Sequence, residues 1–178
     1  MLQILCVVLF LLLPIFAPTT NALTKEEWVR VIGQVALELQ HNAKWVFGAY
    51  SDEVGANGDC SAKVTAILRR SGRYDLTRCR ARDMHEGLCG WEGDMQYLEE
   101  AIACSIAFFD MNDTDTIDHT GILTRDTFMK YINMLAHASK KHGFIQIPIE
   151  KEKKDYFYTR FRGAKNLKSS GQFQKKVR

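Results

Sequence analysis

Apolar residues recur at every third or fourth position in four segments of the sequence, and this spacing most constrains the fold. The first segment begins at Thr24, which stands three residues before Glu27 as in a helix-initiating capping box. The second follows Ser61, the third spans about residues 92–109, and the fourth spans about 124–139. Because this period places apolar side chains on one face of a helix, the pattern predicts an all-α fold of paired helix–loop–helix units.

An uncharged, largely apolar segment occupies residues 1–22. Its apolar run is shorter than the roughly 20 residues that span a bilayer, and Thr20 and Ala22 occupy the −3 and −1 positions of a cleavage site. This pattern predicts a signal peptide and secretion, with an uncleaved membrane anchor as the disfavoured alternative. We therefore expect a helical domain over residues 23–145 and a basic, aromatic, partly disordered tail over 146–178.

Removal of the signal peptide would leave four of the five cysteines, Cys60, Cys79, Cys89 and Cys104. An even number of cysteines in a secreted chain predicts two disulfides. Three connectivities are possible, and the nested pattern of Cys60–Cys104 with Cys79–Cys89 is favoured because it would tie two predicted helices together. A zinc site is the weaker alternative, since the cysteines lack the paired Cys-x-x-Cys spacing.

Oxygen-bearing side chains are concentrated between the third and fourth predicted helices. Calcium prefers such ligands at alternating positions of a loop. The candidate metal ligands are Asp110, Asn112, Thr114, Asp118 and Thr120.

This helix–loop–helix segment resembles an EF-hand, with a glycine at Gly121 and an apolar residue two positions later. The bidentate glutamate of that family is missing, so the resemblance implies weak calcium binding. It implies a secreted protein similar to the EF-hand proteins of extracellular matrices, including those of shells. A metal-free structural loop is the alternative, and the sequon at Asn112 allows a glycan on one of the ligands.

The last 28 residues carry ten lysines and arginines against two acidic residues. Basic residues mixed with aromatic ones suit a polyanion, which predicts an acidic extracellular partner or matrix rather than nucleic acid or stable membrane insertion. The candidate polyanion-binding residues are Arg160, Arg162, Lys165 and Lys168. A tail that only increases solubility is the alternative.

Sequence motifs of catalysis are absent: no Gly-x-Ser-x-Gly or His-Glu-x-x-His pattern occurs, and the disulfide assignment leaves no free cysteine nucleophile. The sequence therefore predicts a non-enzymatic protein. Two alternatives remain open. One is a secreted helical signalling, toxin-like or reproductive protein that binds no metal, and the other is a prohormone cleaved at dibasic sites such as Arg69-Arg70 and Lys140-Lys141.

Overall fold

A computed structural model describes residues 23–125, 133–150 and 155–167 of the 178-residue chain. Its elements in chain order are α1 (Lys25–His41), α2 (Cys60–Arg70), α3 (Ala81–Glu86), β1 (Gly93–Gln96), β2 (Ile106–Phe109), β3 (His119–Arg125), β4 (Asn133–Ser139), β5 (Gly143–Ile149), α4 (Tyr156–Arg160) and β6 (Phe161–Leu167). The strands form one antiparallel sheet in the order β1-β6-β2-β3-β4-β5. The all-α prediction is therefore wrong.

Helix α1 begins as the sequence predicts. The Thr24 side chain accepts the backbone N–H of Glu27 at 3.3 Å, and the Glu27 carboxylate accepts that of Thr24 at 2.6 Å, which confirms the capping box. The helix ends at Asn42, whose left-handed φ of 46° terminates it earlier than the expected residue 47. Its apolar stripe, with Val31 and Val35 buried, packs on α2 and β5.

Helix α2 is capped by Asp59 rather than by Ser61. The Asp59 carboxylate accepts the Ala62 N–H at 2.9 Å and the Ser61 hydroxyl at 2.9 Å. Every residue from Ser61 to Leu68 is buried, because α2 is covered by α1 on one side and by β3 and β4 on the other. This burial includes the ion pair of Lys63 with Glu38, whose nitrogen and oxygen lie 2.8 Å apart.

The third predicted helix is replaced by strands β1 and β2. All four residues of β2 are buried: Ile106 and Phe108 belong to the core beneath the helices, whereas Ala107 and Phe109 belong to a second core on the opposite face of the sheet. A strand that is apolar on both faces shows no alternation, so its sequence is indistinguishable from a short buried helix.

The fourth predicted helix is wrong for the same reason. Its described part comprises the end of β3 and all of β4, and residues 126–132 lie outside the description. In β4, Leu135 faces the second core and Ala136 the first. Strand β5, which contains Pro148, lies at the edge of the sheet, as expected for a proline-containing strand.

The EF-hand interpretation fails with these helices, since the acidic loop joins strands β2 and β3.

The predicted tail is also wrong where the structure describes it. Residues 155–167 form α4 and β6, and β6 lies between β1 and β2. Phe157 and Phe161 contact Phe109 edge to face, at centroid distances of 5.4 and 5.8 Å. The aromatic residues of this segment therefore belong to the second core.

The predicted signal peptide, residues 1–22, lies outside the described residues and stays a prediction. Among the residues that are described, no helix is both long enough and apolar enough to cross a bilayer.

Candidate active site

The acidic loop binds its own backbone. The buried carboxylate of Asp110 accepts the N–H groups of Thr114 at 3.0 Å and Asp115 at 2.7 Å. The Thr114 N–H, followed by that of Asp115, holds the pKa of Asp110 below its ordinary value. The carboxylate of Asp118 accepts the Met111 N–H at 2.8 Å. These carboxylates stabilise a tight connection between two strands.

The remaining predicted ligands do not complete a cage. The Thr120 hydroxyl lies in β3 and donates to the Ala107 carbonyl at 2.9 Å, the exposed Asn112 amide donates to Asp118, and Thr114 is exposed. No group of three or more His, Cys, Asp or Glu side chains in the described residues could hold a metal ion. The EF-hand site is therefore wrong, whereas calcium binding by other means and a glycan on Asn112 stay untested predictions.

The predicted polyanion residues are engaged within the fold. Arg160 lies 3.1 Å from the Asp113 carboxylate, and Arg162 lies 3.5 Å from that of Asp110. Lys165 is buried and donates to three backbone carbonyls around helix α3, so it cannot reach a polyanion. Lys168 lies outside the described residues, and the acidic partner stays a prediction.

The four cysteines of the described chain are free thiols, so the two-disulfide prediction is wrong. Cys104 is buried near the carbonyl of Trp28, at 3.7 Å. Burial, followed by a hydrogen bond with the neighbouring Cys89 thiol, raises the pKa of Cys79 to about 12. Cys60 differs from the other three in its position, because it is the first residue of helix α2.

The Cys60 thiol is held against the start of β3. Burial has the largest effect on the pKa of this thiol, and the nearby backbone N–H groups of Thr120, Ser61 and Cys60 itself act in the opposite direction. Burial raises its pKa to about 11 in spite of these donors. The sulfur is therefore protonated at neutral pH and needs a base to become a nucleophile.

Two histidines on adjacent strands form a hydrogen-bonded pair. His119 begins β3 and His137 lies in β4, with Nε2 of His119 2.9 Å from Nδ1 of His137. Both rings also contact Phe157, at centroid distances of 6.1 and 4.8 Å. Burial lowers the pKa of His119 to about 3, with His137 adding to the effect, and lowers the pKa of His137 to about 4. Both imidazoles are therefore neutral at pH 7, so each ring has one nitrogen without a proton.

The buried histidines predict a loss of stability in acid. In the unfolded chain each histidine binds a proton near pH 6.5, whereas the pKa of folded His137 is about 4. Between these values only the unfolded state gains the proton, so each of the two histidines lowers the free energy of unfolding as the pH falls, by up to about 1.4 kcal/mol per pH unit. Urea unfolding at pH 7 and pH 4.5 should show a shallower pH dependence for His137→Gln than for the wild type.

The matched control is His142→Gln, because His142 is exposed. Its pH dependence should follow that of the wild type. If the two variants gave the same slope, the buried pair would not cause the acid sensitivity.

Cys60 and His119 line one cleft of about 660 Å³. Trp45 and Phe47 form an aromatic wall, and Arg78 lines the cleft as well. A thiol, a neutral imidazole and a second imidazole that orients the first are the groups needed for nucleophilic attack on a carbonyl carbon. The arrangement is suited to acyl transfer.

Solved structures of the NlpC/P60 family share this fold. A lipoprotein-like NLP/P60 protein from Staphylococcus aureus has a TM-score of 0.59 at 18% identity, over 86% of this chain and 45% of its own. An NlpC/P60 family protein from Bacillus cereus has a TM-score of 0.59 at 15% identity, over 83% of this chain and 41% of its own. The peptidoglycan hydrolase RipB from Mycobacterium tuberculosis has a TM-score of 0.56 at 14% identity, over 82% of this chain and 66% of its own.

These similarities establish the fold: the chain has the NlpC/P60 architecture. It spans less than half the length of the first two structures and 66% of the third. No family model matches the sequence, and no curated protein matches it.

The shared fold corrects the sequence-based identification. The structural neighbours are sheet-rich NlpC/P60 proteins, so both the EF-hand resemblance and the calcium-binding matrix function inferred from it are wrong. The prediction of a non-enzymatic protein is corrected as well, because a hydrolase shares this fold and the chain brings a thiol and an imidazole into one cleft.

The alternative functions also do not fit the structure. The signalling or toxin-like alternative assumed a helical scaffold, whereas the chain is organised around a sheet. The dibasic pair Arg69-Arg70 lies in α2, and Arg70 bonds the buried Glu38. Such a site is protected from a processing protease.

Sequence reasoning missed Cys60, His119 and His137 as a group. The assignment of all four cysteines to disulfides removes Cys60, the thiol at the first position of α2, from consideration as a nucleophile. The sequence does contain a signal for a cysteine nucleophile. The Asp59-Cys60-Ser61 segment combines a helix cap with a cysteine at the helix N-terminus, and histidines that could act as a base occur elsewhere in the chain.

Proposed function

We propose that this chain is a secreted cysteine hydrolase that cleaves amide bonds in peptides of the bacterial cell wall. The observation that carries the proposal is the Cys60 thiol at the N-terminus of α2, in one cleft with His119, which is hydrogen-bonded to His137. The description of RipB as a peptidoglycan hydrolase supports the substrate class. The uncharged apolar segment 1–22 supports secretion.

The imidazole pair supplies the base. When Nε2–H of His119 donates to Nδ1 of His137, Nδ1 of His119 is left free to accept the thiol proton. The Cys60 sulfur then forms a bond to the substrate carbonyl carbon. The hydrogen bond to His137 orients the ring of His119 and stabilises the imidazolium that forms.

The first turn of α2 supplies electrostatic stabilisation. The N–H groups of Cys60 and Ser61 lie in this first turn, and they can donate to the oxyanion that develops on the substrate. When the carbon–nitrogen bond breaks, the proton on His119 passes to the leaving amine. Water, deprotonated by His119, then hydrolyses the thioester on Cys60 and restores the thiol.

The test combines hydrolysis with thiol labelling. Purified peptidoglycan incubated with the protein should release new amino termini. Iodoacetamide should stop this release, and mass spectrometry should find that the loss of activity follows carbamidomethylation of Cys60. Release of amino termini by fully alkylated protein, or none by protein whose thiols are intact, would overturn the proposal.

A further inference from the structure

We infer that the cleft selects peptides carrying a carboxylate near the scissile amide, and that Arg80 binds this carboxylate. The inference rests on the proposed function and names a specificity-determining residue for it.

Three arginines, Arg78, Arg80 and Arg82, line the same cleft as Cys60. They lie on the segment that leads into and begins α3. The lining of the cleft therefore contains both the proposed nucleophile and three basic side chains.

Arg78 has its own counter-ion. Its guanidinium lies 2.7 Å from the carboxylate of Asp59, the residue that caps α2 and also accepts the Gly48 N–H at 3.0 Å. The buried Nε of Arg78 has no hydrogen-bond partner in the described part of the chain. Arg78 is therefore fixed in position with its charge balanced and one donor unused.

Arg80 is the cation without a counter-ion. It is exposed and lines the cleft, and no carboxylate within the described ranges lies at ion-pair distance from its side chain. Arg82 makes two loose pairs, at 3.9 Å to Asp83 and 3.8 Å to Glu86. An arriving carboxylate would therefore find Arg80 uncompensated.

Acidic groups of the cleft do not cancel this charge. Its two carboxylates belong to Asp59 and Asp118. Asp59 is paired with Arg78, and Asp118 accepts the Met111 N–H and the Asn112 amide. Both are satisfied by the protein itself.

A guanidinium presents a planar pair of N–H donors that match the two oxygens of a carboxylate. The lining also includes two aromatic side chains: Trp45 and Phe47 have ring centroids 6.2 Å apart, and Phe47 is 83% exposed. Such exposed rings offer an apolar surface for the carbon skeleton of the bound peptide. A peptide with an acidic group could contact both the arginine and the aromatic rings of this lining.

The experiment compares two synthetic peptides that differ in one group, a carboxylate or a carboxamide on the acyl side of the cleaved bond. A charge-assisted hydrogen bond contributes about 1.5–3 kcal/mol, so the wild type should favour the carboxylate by about 10- to 100-fold in kcat/KM. Arg80→Gln should bring the ratio close to one, mainly through KM for the acidic peptide. Arg80→Lys should restore part of the preference, and Lys141→Gln, an exposed change elsewhere, should leave it intact.

Binding to the Cys60→Ala protein, measured by calorimetry, separates this inference from the proposed function. Tighter binding of the carboxylate peptide, lost in Cys60→Ala/Arg80→Gln, supports the inference whether or not the wild type cleaves either peptide. Equal binding of the two peptides, or a preference that survives Arg80→Gln, overturns it. Absence of cleavage of peptidoglycan and of both peptides overturns the proposed function alone.

Discussion

Cys60→Ala should lower kcat for peptidoglycan cleavage by about 10⁴-fold or more, because the variant retains no thiol in the cleft and cannot form the thioester. His119 would still be present, but it would have no nucleophile to deprotonate. The measurement is the rate of release of amino termini at equal protein concentration. Circular dichroism should show an unchanged fold, since alanine is smaller than cysteine and suits a helix.

The matched control is Cys89→Ala. Cys89 is exposed and does not line the cleft, so its removal should leave kcat/KM within about twofold of the wild type, as surface substitutions usually do. A Cys60→Ala protein that kept its activity, or a Cys89→Ala protein that lost it equally, would place the nucleophile elsewhere.

Gly121→Ala should destabilise the protein by about 3 kcal/mol, the upper end for inserting a methyl group into a filled core. A Cβ at this position would lie 2.5 Å from Cδ1 of Leu135 and 2.8 Å from the backbone oxygen of Ala136. The Leu135 side chain could rotate, but Ala136 is paired with Ile122 in the centre of the sheet. The added carbon would also lie 3.0 Å from Cβ of His137. We therefore expect lower activity in addition to lower stability.

Gly33→Ala provides the comparison, since the same chemical change in α1 meets no heavy atom within 4 Å. Alanine favours a helix over glycine, so this variant should gain about 0.5–1 kcal/mol. Both free energies of unfolding would come from urea titrations at pH 7. A Gly121→Ala protein as stable as Gly33→Ala would mean that the pairing of β3 with β4 yields to the added methyl group.

Helices α1 and α2 could be predicted because their signals are local. A capping box, an amphipathic stripe and a terminating residue act within a few positions of one another. The error at the start of α2 was small: Asp59 and Ser61 are both good caps, and only the observed hydrogen bonds distinguish them.

The strands could not be predicted from their composition. β2 is buried on both faces, so it lacks the alternation that distinguishes a half-buried strand from a helix. The basic residues of β6 were equally misleading, because they suggested a solvated tail. Lys165 is in fact satisfied by three carbonyls that belong to residues about 80 positions earlier. No local pattern contains that information.

The sequence by itself determined two helices and the capping box of α1, since these depend on neighbouring residues and on the chemistry of single positions. The tertiary structure decided that Cys60 is a free thiol beside β3 and that His119 is hydrogen-bonded to His137. Cys60 and His119 lie far apart in the chain, and they share a cleft because α2 packs against β3. The physical reason is that a helix cap forms by short-range hydrogen bonding, whereas a catalytic arrangement requires the sheet to be assembled and the helix to be packed on it.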